Sequence, residues 1–228
     1  MTRPTIVRLL AWTCLASAWG LPAIGETGDV ASSVHNLSVS GPGEVRALDE
    51  TEICKFCHIP HNSTTPVPMW GQELSKAQYQ VPQVRVPGGG RAIVPQPDGA
   101  SRLCLSCHDG TVALGDVAGE PTPIPMSGSQ RLSPGRPGFI GTDLSGSHPV
   151  SFVVPDGAGM IDTDSDMGLR PLSLIRSDDF VRLDERGKMQ CTTCHDPHSD
   201  KYYQEGVVPR FWVKPSVGEV CITCHELR

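Results

Sequence analysis

Four short motifs of one form contain eight of the nine cysteines in the chain. In each motif, two cysteines are separated by two residues and followed directly by a histidine. The motifs are Cys54/Cys57/His58, Cys104/Cys107/His108, Cys191/Cys194/His195 and Cys221/Cys224/His225. Cys-x-x-Cys-His is the attachment sequence of c-type haem: both thiols bond to one edge of the porphyrin, and the histidine is the proximal iron ligand. The spacing therefore predicts four haem c groups.

Zinc and disulfides are the alternative uses of paired cysteines. Secreted chains commonly form disulfides, and two Cys-x-x-Cys pairs can bind one zinc ion. Neither use requires a histidine after every pair, whereas all four pairs here are followed by one. We therefore favour haem.

The remaining histidines equal the expected irons in number. They are His35, His61, His148 and His198. Imidazole binds iron well, and the axial ligands decide whether an iron is open to substrate. We expect all four histidines to be distal ligands, so that each iron is closed and transfers single electrons.

Two of these histidines, His61 and His198, lie three residues after a proximal histidine, with a proline between. Proline ends the short helix that contains the motif. A residue so close in sequence does not reach the opposite face of the same porphyrin. Each of the two is therefore expected to ligate a different haem.

The order of these features occurs twice, which indicates an internal repeat. Residues 35–108 contain a histidine, a Cys-x-x-Cys-His-x-Pro-His segment and a Cys-x-x-Cys-His segment, and residues 148–225 repeat that order. We expect two dihaem modules, at residues 26–120 and 121–228. The simplest allocation keeps ligands within a module: His61 with the haem on Cys104/Cys107, His198 with that on Cys221/Cys224, and His35 and His148 with the first haem of each module.

The first 25 residues have the pattern of a secretory signal peptide. Arg3 and Arg8 precede an apolar run, and small residues provide cleavage sites after Ala18 or after Gly25. The apolar run is shorter than the roughly 20 residues that span a bilayer. We expect export to the periplasm or the cell exterior, with no stable membrane span after cleavage.

The composition argues against a nucleic-acid partner and a conventional core. The formal net charge is −6, whereas nucleic-acid binding favours a basic surface. An acidic surface instead predicts positively charged redox partners. Aromatic residues make up only 5% of the chain, so we expect the porphyrins themselves to form the core.

We expect mostly irregular coil, with short α-helices carrying the CxxCH motifs and little strand. Residues 81–100 and 116–147 are rich in proline and glycine and are predicted to be loops. A further helix is predicted over residues 72–79. Residues 180–183 and 188–190 are predicted to form a hairpin around a turn.

The order of motifs over residues 33–228 resembles the multihaem cytochromes c with doubled CxxCH motifs. In particular, it is similar to the tetrahaem cytochromes that stack into extracellular nanowire filaments in metal-reducing bacteria. The resemblance implies electron transfer to redox partner proteins or extracellular acceptors. In some filament-forming relatives a distal histidine crosses to the next subunit, and His35 is the candidate for that role in a homopolymer.

Three hypotheses remain at the level of the sequence. We favour an electron-transfer protein that is not an enzyme, either a soluble shuttle or a filament subunit. The alternative is a multihaem oxyanion reductase with one five-coordinate haem, for which Tyr202, Tyr203 and Arg210 are candidate substrate-binding residues.

Overall fold

The structure, a computed structural model, describes residues 29–63, 65, 68–86, 90–156 and 167–227. The expected signal peptide, residues 1–25, lies outside the described residues. Coil predominates between short helices, which confirms the prediction of mostly irregular coil with short helices and little strand. The α-helices are α1 (Gly99–His108), α2 (Leu172–Arg176), α3 (Cys191–Cys194) and α4 (Val217–Cys224), and 3-10 helices cover Val30–Ser32 and Ile53–Phe56.

The described strands form three separate antiparallel pairs. They are β1 (Arg46–Ala47) with β4 (Met126–Ser127), β2 (Gln83–Val86) with β3 (Gly90–Ile93), and β5 (Met167–Leu169) with β6 (His225–Leu227). The second pair corrects the prediction of a loop over residues 81–100, because that segment contains a four-residue hairpin ladder from Gln83↔Ile93 to Val86↔Gly90. No helix among the described residues is long and apolar enough to cross a membrane.

The prediction of a helix over residues 72–79 is wrong, because tertiary contacts hold this segment in an extended form. The Gln72 side chain is fully buried, and its amide donates to the carbonyls of Phe56 at 3.0 Å and Leu114 at 2.9 Å. The Tyr79 backbone N–H donates to the Gln96 side chain at 2.8 Å instead of to a carbonyl one turn earlier.

The predicted hairpin at residues 180–190 forms only its turn. The Asp184 N–H donates to the Lys188 carbonyl at 3.0 Å, and Gly187 has a φ of +73° that favours glycine. No strand pairing joins the two flanking segments in the part of the chain described. Lys188 instead pairs with Val153, in a different segment.

Three small apolar clusters replace a single large core. The first lies within residues 47–126 and is centred on Phe56, the second lies within residues 154–224 and is centred on Ile175, and the third consists of Tyr79, Leu105 and Leu144. Each cluster packs against or contains residues of a motif helix. The clusters therefore hold the Cys-x-x-Cys-His segments in place without forming a continuous interior.

All four Cys-x-x-Cys pairs lie on or at the end of a short helix, as predicted. The first is in the 3-10 helix Ile53–Phe56, and the others are in α1, α3 and α4. The Ser216 hydroxyl accepts the Glu219 N–H at 3.2 Å and so caps α4. Gln190 and Thr193 form a reciprocal capping box at the start of α3.

Candidate haem-ligand sites

Three of the four proximal histidines orient their rings with a hydrogen bond from Nδ1 to a backbone carbonyl. A carbonyl only accepts, so the ring proton lies on Nδ1 and Nε2 is free to bind a metal. The bonds run from His58 to Pro68 at 2.9 Å, from His108 to Gly138 at 2.6 Å and from His195 to Arg210 at 3.0 Å. His225 hydrogen-bonds to the backbone of Gly168, which lies on β5 next to Leu169, the residue opposite His225.

The two His-x-Pro-His segments share one local structure. His58 pairs in antiparallel fashion with Trp70, and His195 pairs in the same way with Trp212. The backbone hydrogen bonds are equivalent in the two segments. In the first, the Ile59 N–H donates to the Met69 carbonyl at 2.9 Å and the Gly71 N–H to the Cys57 carbonyl at 2.8 Å. In the second, the Asp196 N–H donates to the Phe211 carbonyl at 2.7 Å and the Val213 N–H to the Cys194 carbonyl at 3.1 Å. The residue before each tryptophan is in the left-handed region, with φ of 61° at Met69 and 60° at Phe211.

Sequence analysis missed the two tryptophans. A tryptophan follows each His-x-Pro-His segment, and this recurrence was the available signal. Each ring contacts its proximal histidine edge to face: centroids are 6.1 Å apart for Trp70 and His58, and 5.0 Å apart for Trp212 and His195. The tryptophans therefore help to fix the proximal rings.

Three proximal histidines have a second imidazole at a similar distance. The ring centroids are 6.1 Å apart for His58 and His198, 6.0 Å for His108 and His35, and 6.3 Å for His225 and His148. An imidazole nitrogen binds a transition metal at about 2.0 Å and lies about 1.1 Å from its ring centre, so two imidazoles on opposite sides of one ion have centroids about 6 Å apart. The centroid distances of the three pairs match the spacing expected for two imidazoles with one iron between them.

His35 is the most constrained of the second imidazoles. Its ring stacks on Phe211 with centroids 4.0 Å apart and planes 12° apart, and its Nδ1 lies 3.4 Å from the Pro197 carbonyl. Burial, reinforced by the neighbouring His108, lowers the pKa of His35 to about 4. The ring is therefore neutral at pH 7, the form that binds metals.

This pairing differs from the simplest allocation expected from the sequence. His35 lies beside His108 and not beside His58, while His198 lies beside His58 and not beside His225. His148 lies beside His225, the second motif of its own half. His35 packs against Phe211 and against Pro197, which belongs to the second His-x-Pro-His segment, so the two halves of the chain are in contact here.

His195 and His61 are the remaining histidines. Among the residues described, no imidazole faces His195 at the spacing of the other three pairs, and its close ring contact is Trp212. His61 is exposed. The structure thus brings together six of the eight candidate ligands in pairs.

The cysteines of successive motifs are neighbours. The thiols of Cys104 and Cys191 form a hydrogen bond, which raises the pKa of Cys104 and lowers the pKa of Cys191 to about 7. Burial, together with the nearby Cys57, raises the pKa of Cys107 to about 12. Burial, together with the nearby thiols of the fourth motif, raises the pKa of Cys194 to about 12. Thiols of the first and second, second and third, and third and fourth motifs therefore influence one another.

The alternative uses of the cysteines have no geometric support. All eight described cysteines are free thiols. No group of three or more His, Cys, Asp or Glu side chains in the described ranges is arranged around a common metal position.

The residues proposed for an oxyanion reductase are engaged with other groups. The Arg210 guanidinium pairs with the Asp200 carboxylate and lies 3.7 Å from the centroid of the Tyr203 ring. The Tyr202 ring lies 4.6 Å from Lys201 Nζ. The Arg210 carbonyl accepts a hydrogen bond from His195 Nδ1, so the Arg210 backbone lies beside the edge of the ring that faces away from Nε2.

One family model, described as "Doubled CXXCH motif", matches residues 185–227. This range contains the third and fourth motifs, and the first two motifs lie outside it. No curated protein matches the chain. The match supports haem c binding by a multihaem c-type cytochrome and a role in electron transfer.

Proposed function

We propose that this chain is an exported tetrahaem c-type cytochrome that transfers electrons through bis-histidine haems. The observation that supports this best is the set of three imidazole pairs with centroids 6.0 to 6.3 Å apart. Each pair joins the histidine of a different Cys-x-x-Cys-His motif to one of the four remaining histidines.

The paired histidines would close the irons to substrate and would influence their reduction potentials. When bound, haem supplies a one-electron ferric/ferrous couple. A second imidazole fills the position at which a substrate would bind, and hydrogen bonds from Nδ1 to carbonyls make the proximal imidazoles stronger donors. Stronger donation favours the ferric state, so low reduction potentials are expected.

The contact between Cys104 and Cys191 supports a continuous route along the chain. These two cysteines belong to the second and third motifs, on either side of the long segment that separates the halves. Ser101 on α1 also binds the start of α3: its hydroxyl accepts the Cys191 N–H at 3.0 Å. The two attachment helices are therefore held against each other, as a series of closely spaced redox groups requires.

Location and partners are further parts of the proposal. The signal-peptide pattern at residues 1–25 supports export, to either the periplasm or the exterior. The net charge of −6 supports positively charged or salt-sensitive redox partners. In a homopolymer, His35 would ligate a haem of the next subunit. Ligation within the chain competes with this arrangement, because His35 already lies beside His108 of its own chain. Electron micrographs of purified wild type and His35→Ala would show filaments lost in the variant if the crossing occurs.

The number of haems tests the proposal directly. The full-length chain, produced with a haem-attachment pathway, should gain the mass of four covalent haems. Replacing both cysteines of any one motif by serine should lower that number to three. A wild-type chain that contains zinc or disulfides in place of covalent haem would contradict the proposal.

One observation favours the reductase as a second candidate, namely that His195 lacks a facing imidazole in the described part of the chain. An iron held there with an open position could bind a small oxyanion. The engagement of Arg210 with Asp200 weakens this candidate, because that guanidinium is already paired. Turnover of nitrite by reduced protein, lost on Arg210→Gln but not on Arg176→Gln, would establish it.

A further inference from the structure

Two histidines lack an assigned partner among the described residues: His195, a proximal histidine, and His61, which is exposed. The other three proximal histidines each have an imidazole at a ligand-pair distance. The internal repeat indicates whether these two histidines share one iron, because each candidate ligand in one half of the chain has an equivalent in the other half.

The observed pairs follow a rule that the repeat can extend. The leading histidine of each half lies beside the second motif of its own half: His35 beside His108, and His148 beside His225. The His-x-Pro-His histidine of the second half, His198, lies instead beside the first motif of the other half. The equivalent of that third pair joins the first His-x-Pro-His histidine to the third motif.

We propose that His61 is the distal ligand of the iron held at Cys191/Cys194, opposite His195. The two His-x-Pro-His segments then exchange their last histidines, and each half closes one iron of the other. This inference rests on the proposed function, since it assigns a ligand to one of the four haem sites. It also removes the open position that the reductase hypothesis needs.

The local structure allows this exchange. His58 and His198 have ring planes 25° apart and centroids 6.1 Å apart, so the two segments already lie side by side. His61 lies three residues after His58, and His195 three residues before His198; three residues of extended chain span about 10 Å. Equivalent backbone bonds hold the start of each His-x-Pro-His segment against its tryptophan segment in the same way. The His61 side chain is exposed, so its movement toward His195 would break no buried packing.

Carbon monoxide binding to the reduced, full-length, haem-loaded protein tests the assignment, because carbon monoxide binds only an iron with an open position. Wild type should bind none. His61→Ala should bind carbon monoxide at one haem in four. Glu73→Ala, an exposed change in the same half, should behave as wild type.

A second background identifies which iron His61 closes. In a Cys191→Ser/Cys194→Ser protein, three haems remain and none should bind carbon monoxide. Adding His61→Ala to that background should change nothing, because the iron that His61 served is already absent. If the combined variant binds carbon monoxide at one haem in three, His61 serves another motif and the assignment is wrong.

Two further outcomes separate this inference from the proposed function. Wild type that binds carbon monoxide at one haem in four would overturn the His61 assignment but leave the other three pairs intact. A chain without covalent haem would overturn the proposed function itself. If the serine background does not fold, His61→Met gives an independent answer: paramagnetic NMR should show the iron-bound methionine and His195 in contact with the same haem, and contact with another proximal histidine would refute the assignment.

Discussion

Gln190, the residue before the third motif, joins that motif to the helix of the second motif. Its side chain is only 2% exposed. Its carbonyl oxygen accepts the Ser101 N–H at 3.1 Å and the Ser101 hydroxyl at 2.6 Å. Its amide donates to the carboxylates of Asp98 at 3.2 Å and Asp184 at 3.0 Å. We predict that Gln190→Ala destabilises the protein and loosens the contact between Cys104 and Cys191.

The size of the stability loss depends on which hydrogen-bond partners of Gln190 are too buried for water to replace the lost bond. Ser101 is fully buried, so its N–H and hydroxyl each lose an acceptor. A buried polar group left without a partner costs about 1–3 kcal/mol. Asp98 is more exposed and keeps its ion pair with Lys188, so it adds little. We expect the free energy of unfolding to fall by about 2–5 kcal/mol.

Guanidinium chloride unfolding of the haem-loaded protein, followed by circular dichroism, measures this loss. With a denaturant dependence of about 5 kcal/mol per molar, the midpoint should fall by about 0.4–1 M. Gln130→Ala is the matched control, because Gln130 is exposed and its amide makes one bond, to the Met126 carbonyl at 3.2 Å. A midpoint for Gln190→Ala no lower than that of the control would refute the reasoning.

Three other predictions concern one ligand and two titrating groups. His198→Ala should open one haem in four to carbon monoxide, and removing both cysteines of the first motif as well should abolish that binding; persistent binding would mean that His198 serves another iron. Burial alone would raise the pKa of Asp178, but hydrogen bonds, chiefly from Lys214, outweigh it and lower the pKa to about 2. The pKa of Asp178 in the folded protein is thus below its value in the unfolded chain, so the stability that Asp178 adds above pH 4 is lost as the pH falls toward 2. Acid unfolding of Asp178→Asn should lack this loss of stability between pH 4 and pH 2. Burial and a hydrogen bond to Asp109 raise the pKa of Tyr79 to about 12, so stability present below pH 10 should be lost as the pH rises toward 12; Tyr79→Phe, measured by alkaline unfolding, should lose this dependence.

Local sequence was sufficient to predict the elements at the motifs. A Cys-x-x-Cys-His segment is short, so its helix depends on few neighbours, and helices do lie at all four motifs. The prediction that coil is the commonest state elsewhere is also confirmed, although short strands and α2 lie outside the motifs. That prediction depended on the scarcity of aromatic residues and of regular periodicity, which are properties of the whole chain and can be read without knowing the tertiary contacts.

The errors come from tertiary contacts that sequence patterns do not encode. Residues 72–79 have helix-compatible composition, but the buried amide of Gln72 binds carbonyls of two distant segments and holds the backbone extended. The β2–β3 pair forms within a proline- and glycine-rich stretch, where Val84 lies opposite Ala92 and Gln83 opposite Ile93. Composition alone did not distinguish this hairpin from a loop.

The arrangement of the histidines was predictable only in part. Spacing indicated that His198 would ligate a haem other than the one beside it. It did not indicate which one, because the partner depends on how the two halves pack. The stacking of His35 on Phe211, 176 residues apart in the chain, decides that packing. Such a contact has no local sequence signature.

Carbon monoxide binding to the reduced, full-length wild-type protein, normalised to its covalent haem, tests the central claim most directly. The account predicts four haems per chain and no spectral change with carbon monoxide, because two imidazoles close every iron. A change at one haem in four would overturn only the assignment of His61. Binding at two or more haems would contradict the imidazole pairs, and a chain without covalent haem would contradict the proposed function.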